Sequence, residues 1–221
     1  MPAPTRLVVL DLDGTVLVGD EPVRAYLAAL LRRAPLPGAE AVLESYLARG
    51  GSEPDAYAAV ARIAERAGVP AADRQAAYAE SRAALHAGAV AAHAAEGLAA
   101  ALDRRPAGVV VALVTNAPVE GAAPLLERVG LAGRLDRVVG DAGKPAGMPE
   151  VLQGLLAETG VGAERLLAAG DVWANDLAAA AALGGTTVLI DRHGHAEGAP
   201  DLRGPSLAAL LPALEEWWTR P

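Results

Sequence analysis

The sequence predicts an α/β protein, a doubly wound parallel sheet with an inserted helical-bundle domain. From about residue 93 onward, short apolar runs alternate with helical patterns, which is typical of a parallel sheet covered on both faces. A further apolar run, 7–10, stands far upstream and is followed only by helical patterns until residue 92. We therefore expect residues 1–18 and 93–221 to form one core and residues 19–92 to be the insertion.

In the core, turn residues separate strand-like runs from helix-like runs. Each strand is almost wholly apolar, as expected for strands buried on both faces. The predicted strands are 7–10, 109–114, 137–139, 166–169 and 187–190, and the predicted helices are 94–104, 118–129, 149–159, 175–183 and 206–218.

In the insertion, prolines and glycines divide the chain into short amphipathic helices. The predicted helices are 21–34, 38–49, 52–67 and 72–87, with Asp20 and Ser52 as N-cap residues. All four tyrosines lie here, and we expect them to pack the bundle, a substrate contact by one of them being the alternative. Arginines of this segment either solvate the bundle or bind a second anionic group of a substrate. The candidates are Arg24, Arg32, Arg33 and Arg49.

Composition limits the classes of partner. A net charge of −8 argues against a nucleic-acid or anionic-membrane binder, and no apolar stretch is long enough to span a membrane. The chain has no cysteine, which excludes disulfides and thiolate chemistry. The N-terminal apolar run meets two aspartates within a few residues and so does not resemble a signal peptide. These features predict a cytoplasmic protein, a monomer or a weak homodimer.

Rare residue types mark positions that need particular chemistry. Of the 19 basic residues only Lys144 is a lysine, and Asn116 and Asn175 are the only asparagines. A chain that uses arginine wherever a positive charge suffices has a reason to keep a lysine, although chance retention is the alternative.

Two carboxylates stand where the first strand ends. Asp11 and Asp13 follow Leu7–Leu10 directly and precede Gly14. An Asp-Gly hairpin turn is the alternative, but it leaves Asp11 unexplained, and a helical pattern follows instead of a partner strand. Parallel sheets bind ligands at the carboxyl ends of their strands, so we expect an active site there.

The ends of the other strands deliver further polar groups to the same edge. These groups, which include every rare residue noted above, are Thr115, Asn116, Lys144, Asp171, Asn175 and Asp176. Their order along the chain, in the segments Asp11-Leu12-Asp13-Gly14-Thr15, Thr115-Asn116, Lys144-Pro145 and Gly170-Asp171 to Asn175-Asp176, resembles the four motifs of the haloacid dehalogenase (HAD) superfamily. The helical insertion resembles the C1-type cap of that family.

The resemblance implies a phosphatase. Asp11 would be the nucleophile that forms an aspartyl phosphate, and Asp13 the acid and then the base. The expected cofactor is Mg²⁺, a hard cation that prefers oxygen ligands. Its ligands would be carboxylates of Asp11, Asp171 and Asp176 with the backbone carbonyl of Asp13.

The phosphate oxygens would meet a second group of residues. These are the Thr115 hydroxyl, the amide region of Asn116 and the ammonium group of Lys144. The substrate would be a small phosphorylated metabolite.

Several of these residues have a structural alternative. Thr115 and Asn116 suit the cap of a helix, and Asp171 and Asp176 suit the first turn of one. The pair His193 and His195 has the spacing of metal ligands in a glycine-rich loop. Three tryptophans offer either packing or a contact: Trp173 at the site, and Trp217 and Trp218 in the last helix or at a dimer interface.

Related activities are weighed on the same residues. A dehalogenase needs neither the acid at Asp13 nor a metal, and phosphonate cleavage by this family requires a cap lysine, which residues 19–92 lack. A phosphomutase or phosphotransferase on the same core stays open, as does a non-catalytic phosphate-binding scaffold.

Overall fold

The computed structural model describes residues 3–220, so the ends of the predicted core, residues 1–2 and 221, lie outside the described part. The described residues divide into two compact units. One comprises the chain up to Val18, His93–Glu120 and the chain from Leu126 onward. The other comprises Gly19–Ala92 and Gly121–Leu125.

The first unit is built on a parallel sheet. The strands, in chain order, are β1 (Arg6–Leu10), β2 (Leu17–Val18), β3 (His93–Ala94), β4 (Val109–Val114), β5 (Arg137–Val139), β6 (Leu166–Gly170), β7 (Thr186–Ile190) and β8 (Leu202–Gly204). Six of them form one sheet in the order β5-β4-β1-β6-β7-β8, and every neighbouring pair is parallel. The predicted fold class is therefore confirmed, and β8 is an edge strand that the apolar pattern does not reveal.

The central strand of the sheet is apolar because it is covered on both faces. In β1, Val9 pairs with Ala112 of β4 on one side and Ala168 of β6 on the other. All of its residues are buried. Leu7 and Val9 belong to a core cluster that also contains Met148, Leu152 and other aliphatic side chains of the unit. This packing aligns the carboxyl ends of β1, β4 and β6 at one edge.

Two short strands join the ends of the helical segment. β2 and β3 pair antiparallel, with Leu17 opposite Ala94 and Val18 opposite His93. The chain therefore leaves the first unit and returns to it at adjacent positions.

The helices of the first unit differ in detail from the prediction. They are α5 (Leu98–Arg104), α7 (Met148–Thr159), α8 (Ala178–Ala182) and α9 (Leu207–Thr219), numbered after the four helices described next. A further helix, α6 (Ala123–Arg128), crosses the division, since residues 123–125 belong to the second unit. The helix predicted from residue 118 begins only at Ala123. The helix predicted over 175–183 begins with a single π-helical turn, Trp173–Leu177, before α8. Ser206 caps α9 by accepting a hydrogen bond from the Ala209 N–H.

The second unit is a helical bundle. Its helices are α1 (Glu21–Leu31), α2 (Ala39–Arg49), α3 (Ala56–Arg66) and α4 (Ala71–His86). Asp20 is the N-cap residue of α1, as predicted, although its side chain makes no capping hydrogen bond. The predicted cap of α3 is wrong, because α3 is capped by Asp55, which accepts from the Ala58 N–H, and not by Ser52. The Asp55 side chain lies directly before the first helical residue, whereas Ser52 stands too far upstream to reach it.

Aromatic and charged residues of this unit have structural roles. The rings of Tyr26, Tyr57 and Tyr78 contact one another with centroids 5.7–6.0 Å apart. Tyr26 belongs to the core cluster of the bundle. The arginines form surface contacts: Arg24 with Glu44, Arg32 and Arg33 with Glu80, and Arg49 with Ser45. These contacts support packing as the role of the tyrosines and solvation of the bundle as the role of the arginines.

The last helix closes on the sheet. Trp217 and Trp218 are both buried, and the indole Nε1 of Trp217 donates to Thr186 Oγ1 at 3.0 Å. The guanidinium of Arg6 lies 4.7 Å from the centre of the Trp217 ring. Both tryptophans therefore pack within the chain. Within residues 3–220, no helix combines the length and apolarity that crossing a membrane would require.

Candidate active site

The end of β1 places the first carboxylate in a buried position. The Asp11 N–H donates to the Ala169 carbonyl at 2.9 Å, so the residue is held by β6 as the strand ends. Its side chain is about 10 % exposed. Asp13 follows in a turn that the Gly14 N–H closes by donating to the Leu17 carbonyl.

Gly14 is required by the space beside it. Its φ is +87°, and a Cβ there would lie 2.3 Å from Asp171 Oδ2. The turn after Asp13 therefore passes directly against the Asp171 carboxylate, and only glycine leaves room for it.

Lys144 joins two carboxylates from different strands. Its Nζ lies 2.7 Å from Asp11 Oδ1 and 2.6 Å from Asp176 Oδ1, and it also donates to the Val114 carbonyl at 3.0 Å. The lysine side chain is only 3 % exposed. A buried ammonium group with three hydrogen-bond acceptors is fully satisfied. The single lysine of the chain thus lies at the centre of the predicted site.

Asn116 fixes the backbone on which Lys144 stands. Its Nδ2 donates to the Lys144 carbonyl at 3.0 Å, and its Oδ1 accepts from the Lys144 N–H at 2.6 Å. This reciprocal pair takes one of the two Nδ2 hydrogens and one lone pair of Oδ1. The donors that Asn116 could offer to a phosphate are therefore its second Nδ2 hydrogen and its backbone N–H.

Thr115 does not cap a helix, because α6 begins only at Ala123. Its Oγ1 accepts a hydrogen bond from the Ala117 N–H at 3.0 Å within a local turn. The hydroxyl keeps its own hydrogen to donate. The side chain is buried at the end of β4, beside the backbone carbonyl of Val114 that binds Lys144.

Asp176 lies inside the π-helical turn that follows β6. Its Oδ2 accepts from the Val172 N–H at 3.0 Å, while its Oδ1 accepts from Lys144. A Cβ on Gly170 would lie 2.4 Å from this carboxylate, so the glycine at the end of β6 makes room for it. Asp176 therefore fastens the turn and also faces the site, and the two roles coexist. Single π-helical turns are frequent at functional sites.

Burial and charge shift the pKa values of these groups. Burial and the Asp176 carboxylate raise the pKa of Asp11 to about 8, outweighing the opposite effect of Lys144. Burial also raises the pKa of Asp176, only partly offset by Lys144 and the Val172 N–H. For Lys144, burial lowers the pKa, but the two carboxylates more than compensate and raise it above its ordinary value. An additional cation at this cluster would favour the ionised form of Asp11.

Three of the carboxylates fit a metal ion. Asp11, Asp171 and Asp176 each offer an oxygen, and these oxygens lie within 4.8 Å of one another. All three are carboxylate oxygens, the ligand type that Mg²⁺ prefers. Gly14 and Gly170 provide the space that two of these carboxylates occupy. The residues present therefore fit a hard divalent cation.

The histidine pair belongs to no such group. Among residues 3–220, the side chains that could together hold a metal do not include His193 or His195. The carboxylate near them, Asp191, instead accepts hydrogen bonds from the His195 and Ala196 N–H groups and from Arg203. The contact between Asp191 and Arg203 could not be predicted from the sequence, because no local pattern shows that residues at the two ends of a loop will meet.

The family of the chain follows from comparison with family models. Residues 5–184 match the model described as haloacid dehalogenase-like hydrolase, and the chain belongs to this family of hydrolases. The resemblance drawn from the motifs is thereby confirmed. A search of curated proteins finds no match.

Solved structures share the fold over nearly the whole chain. A predicted phosphoglycolate phosphatase from Haemophilus somnus is 19% identical with a TM-score of 0.68, covering 95% of this chain and 98% of its own. The HAD-hydrolase YfnB from Bacillus subtilis, bound to magnesium, is 17% identical with a TM-score of 0.67, covering 96% and 99%. A 2-haloacid dehalogenase from Pseudomonas syringae is 21% identical with a TM-score of 0.58, covering 96% and 99%. At these identities the likeness shows the fold alone.

Proposed function

We propose that the protein is a Mg²⁺-dependent phosphatase that hydrolyses the phosphate monoester of a small metabolite through an aspartyl phosphate on Asp11. The observation that carries the proposal is the cluster of Asp11, Asp171 and Asp176, in which Asp11 and Asp176 also bind the buried Lys144. A further acid, Asp13, stands two residues beyond the nucleophile. A carboxylate can attack phosphorus and so divide hydrolysis into two easier steps.

In the first step, a carboxylate oxygen of Asp11 attacks phosphorus. The bond from phosphorus to the ester oxygen breaks. The ester oxygen keeps the electron pair of that bond and accepts a proton from Asp13. The alcohol leaves, and the phosphoryl group stays on Asp11 as a mixed anhydride. Lys144 would exchange its hydrogen bond to Asp11 for one to a phosphoryl oxygen, and the Thr115 hydroxyl would donate to another while charge moves.

In the second step, a water molecule attacks the phosphorus of the aspartyl phosphate. Asp13, now a carboxylate, accepts a proton from that water. The bond between phosphorus and Asp11 breaks, which releases inorganic phosphate and restores the Asp11 carboxylate. One acid that donates and then accepts a proton returns the site to its starting state.

A divalent cation would be held by Asp11, Asp171 and Asp176, with the backbone carbonyl of Asp13. Bound Mg²⁺ supplies positive charge that reduces the repulsion between this acidic cluster and a phosphate dianion. The net charge of −8 makes such local neutralisation necessary for an anionic substrate.

The same residues favour phosphate transfer over dehalogenation, an activity that the names of some neighbouring structures carry. Halide leaves without a proton, so a dehalogenase needs no acid at the position of Asp13. A carboxylate substrate also gains little from three further carboxylates around the nucleophile. Both features are accounted for when the leaving group is an alkoxide and the electrophile is phosphorus.

The decisive experiment is an assay with and without metal. We expect the purified chain to release inorganic phosphate from p-nitrophenyl phosphate and from some members of a metabolite phosphate panel. EDTA should abolish this release, and excess Mg²⁺ should restore it. A parallel assay with 2-chloropropionate should release no chloride.

Four outcomes would contradict the proposal. Phosphate release that is insensitive to EDTA would mean that the reaction needs no metal ion. Chloride release without phosphatase activity would favour a dehalogenase. If the phosphoryl group is recovered on a second hydroxyl compound instead of as inorganic phosphate, the protein is a phosphomutase or phosphotransferase; binding without turnover would indicate a scaffold.

A further inference from the structure

The loop between β7 and β8 is held by an ion pair at its two ends. Arg203 Nη1 lies 2.5 Å from Asp191 Oδ2. The same guanidinium donates to the carbonyls of Ala196 at 2.8 Å and Gly198 at 3.0 Å. Asp191 Oδ1 accepts from the N–H groups of His195 and Ala196. Asp191 therefore binds backbone N–H groups of the loop, and Arg203 binds its backbone carbonyls.

This loop touches the π-helical turn that contains Asp176. A Cβ on Gly198 would lie 2.3–2.6 Å from three carbon atoms of the Trp173 ring. The backbone at Gly198 thus lies directly against the indole, and no side chain fits between them. Ala196 and Trp173 also pack against the same core cluster.

Trp173 is the first residue of the π-helical turn. Its carbonyl accepts the N–H of Ala178, which closes the turn around Asp176. Asp171 lies two residues before the first residue of the turn. Because residue 173 lies between these two carboxylates in the chain, a shift of the indole moves the backbone that sets their separation.

We propose that Asp191 and Arg203 are positioning residues for the Asp171 and Asp176 carboxylates, acting through the contact of Gly198 with Trp173. This inference rests on the proposed metal-dependent function. Neither residue touches the reacting atoms. A metal site needs its oxygens in a narrow range of positions, and residues that orient the ligands typically change metal affinity about 10- to 100-fold when they are replaced.

Two pairs of variants separate positioning from mere loop stability. Gly198→Ala adds a methyl group against the indole, whereas Gly194→Ala adds one in the same loop where no atom lies within 4 Å. Both glycines have positive φ, 112° and 74°, so both substitutions strain the backbone. Arg203→Met breaks the pair at edge strand β8, and Arg137→Met breaks an ion pair with Glu158 at the opposite edge strand, β5.

The measurement is calorimetric titration of the full chain with Mg²⁺, at a temperature below the unfolding midpoint of every variant. We expect Gly198→Ala and Arg203→Met each to weaken Mg²⁺ binding by about 10-fold. We expect Gly194→Ala and Arg137→Met to bind as the wild type does. The unfolding midpoint of each variant, measured without metal, shows how far stability alone has changed.

The outcomes are distinct. If the wild type binds Mg²⁺ and the Gly198 and Arg203 variants bind it equally well, this inference is overturned while the proposed function stands. If Gly194→Ala or Arg137→Met weakens binding as strongly as its counterpart, the effect is general and the inference is also overturned. If the wild type itself binds no Mg²⁺, the proposed function fails and this inference fails with it.

Discussion

The edge of the parallel sheet and the helical unit use charge in opposite ways. At the sheet edge, the Lys144 side chain is 3 % exposed and contacts two carboxylates that are also buried. In the helical unit, Arg32 and Glu80 form an ion pair with side chains 58 % and 42 % exposed. Both regions contain paired charges, but only the first has removed them from water.

The difference indicates where function lies. Removing charges from water costs several kcal/mol per ion, and their mutual attraction often does no more than offset this cost. Exposed pairs carry little cost and contribute little to stability. The buried lysine between two aspartates therefore fits the proposed function better than a role in stability alone. The predictions below test this contrast.

The largest effect is expected at Asp11. In Asp11→Asn, the amide is a poor nucleophile, so steady-state phosphatase activity should fall by at least about 10³-fold while the fold is retained. Asp103→Asn, which changes an exposed partner of Arg134, is the matched control and should keep wild-type activity. Phosphate release by Asp11→Asn at the wild-type rate would overturn the assignment of the nucleophile.

Asp13 should matter most when the leaving group needs a proton. Asp13→Asn should lower turnover of an alkyl phosphate by roughly 10²- to 10⁴-fold. The p-nitrophenolate ion leaves without a proton, so the first burst of p-nitrophenol should persist in this variant while later turnovers slow. Rapid-mixing absorbance measurements check this, and a burst lost in proportion to steady-state turnover would contradict the two roles of Asp13.

Lys144 tests whether the single lysine is needed as a lysine. In Lys144→Met, no cation remains between Asp11 and Asp176, and turnover should fall roughly 10²- to 10³-fold. Lys144→Arg should recover little, because a planar guanidinium cannot direct its hydrogens to the three acceptors that the compact ammonium group binds. Values of kcat/KM decide this, and wild-type activity in the arginine variant would mean that any positive charge suffices.

Asp191 should affect stability in acid. Burial raises the pKa of Asp191, but hydrogen bonds from Ala196, Arg203 and His195 outweigh it and hold the pKa below its ordinary value. The ionised group therefore stabilises the fold above the pKa of an unfolded aspartate, about 3.9, and this contribution is lost as pH falls towards the lower folded value.

Asp191→Asn removes this contribution. We expect the variant to be less stable at neutral pH by about 2 kcal/mol, with the difference from wild type shrinking below about pH 4. Urea unfolding followed by circular dichroism between pH 3 and pH 7 measures it. A difference that grows on acidification would have the wrong sign for a lowered pKa.

The smallest effect is expected at the exposed pairs of the helical unit. Arg32→Ala removes a surface contact with Glu80, which Arg33 also contacts. Neither kcat/KM nor the unfolding midpoint should change beyond experimental error. A tenfold loss of kcat/KM without a change in the midpoint would instead indicate that Arg32 binds substrate.

The sequence by itself determined five strands of the six-stranded sheet and the residues that follow them. The apolar run Val109–Val114 and the short edge strand Arg137–Val139 have the bounds that the pattern predicts. Buried parallel strands must be apolar along their whole length, and the polar residues that follow must then lie at the sheet edge. The site residues could be predicted because this rule acts locally on each strand.

Only the tertiary structure decided how those residues meet. That Lys144 lies between Asp11 and Asp176, and that the Asn116 side chain binds the Lys144 backbone, depends on segments far apart in the chain. The π-helical turn at Trp173 is likewise a feature that only the tertiary structure shows. The same holds for the contact of Arg203 with the neighbouring loop. Such contacts depend on packing between segments distant in sequence, which no local pattern of apolar and polar residues records.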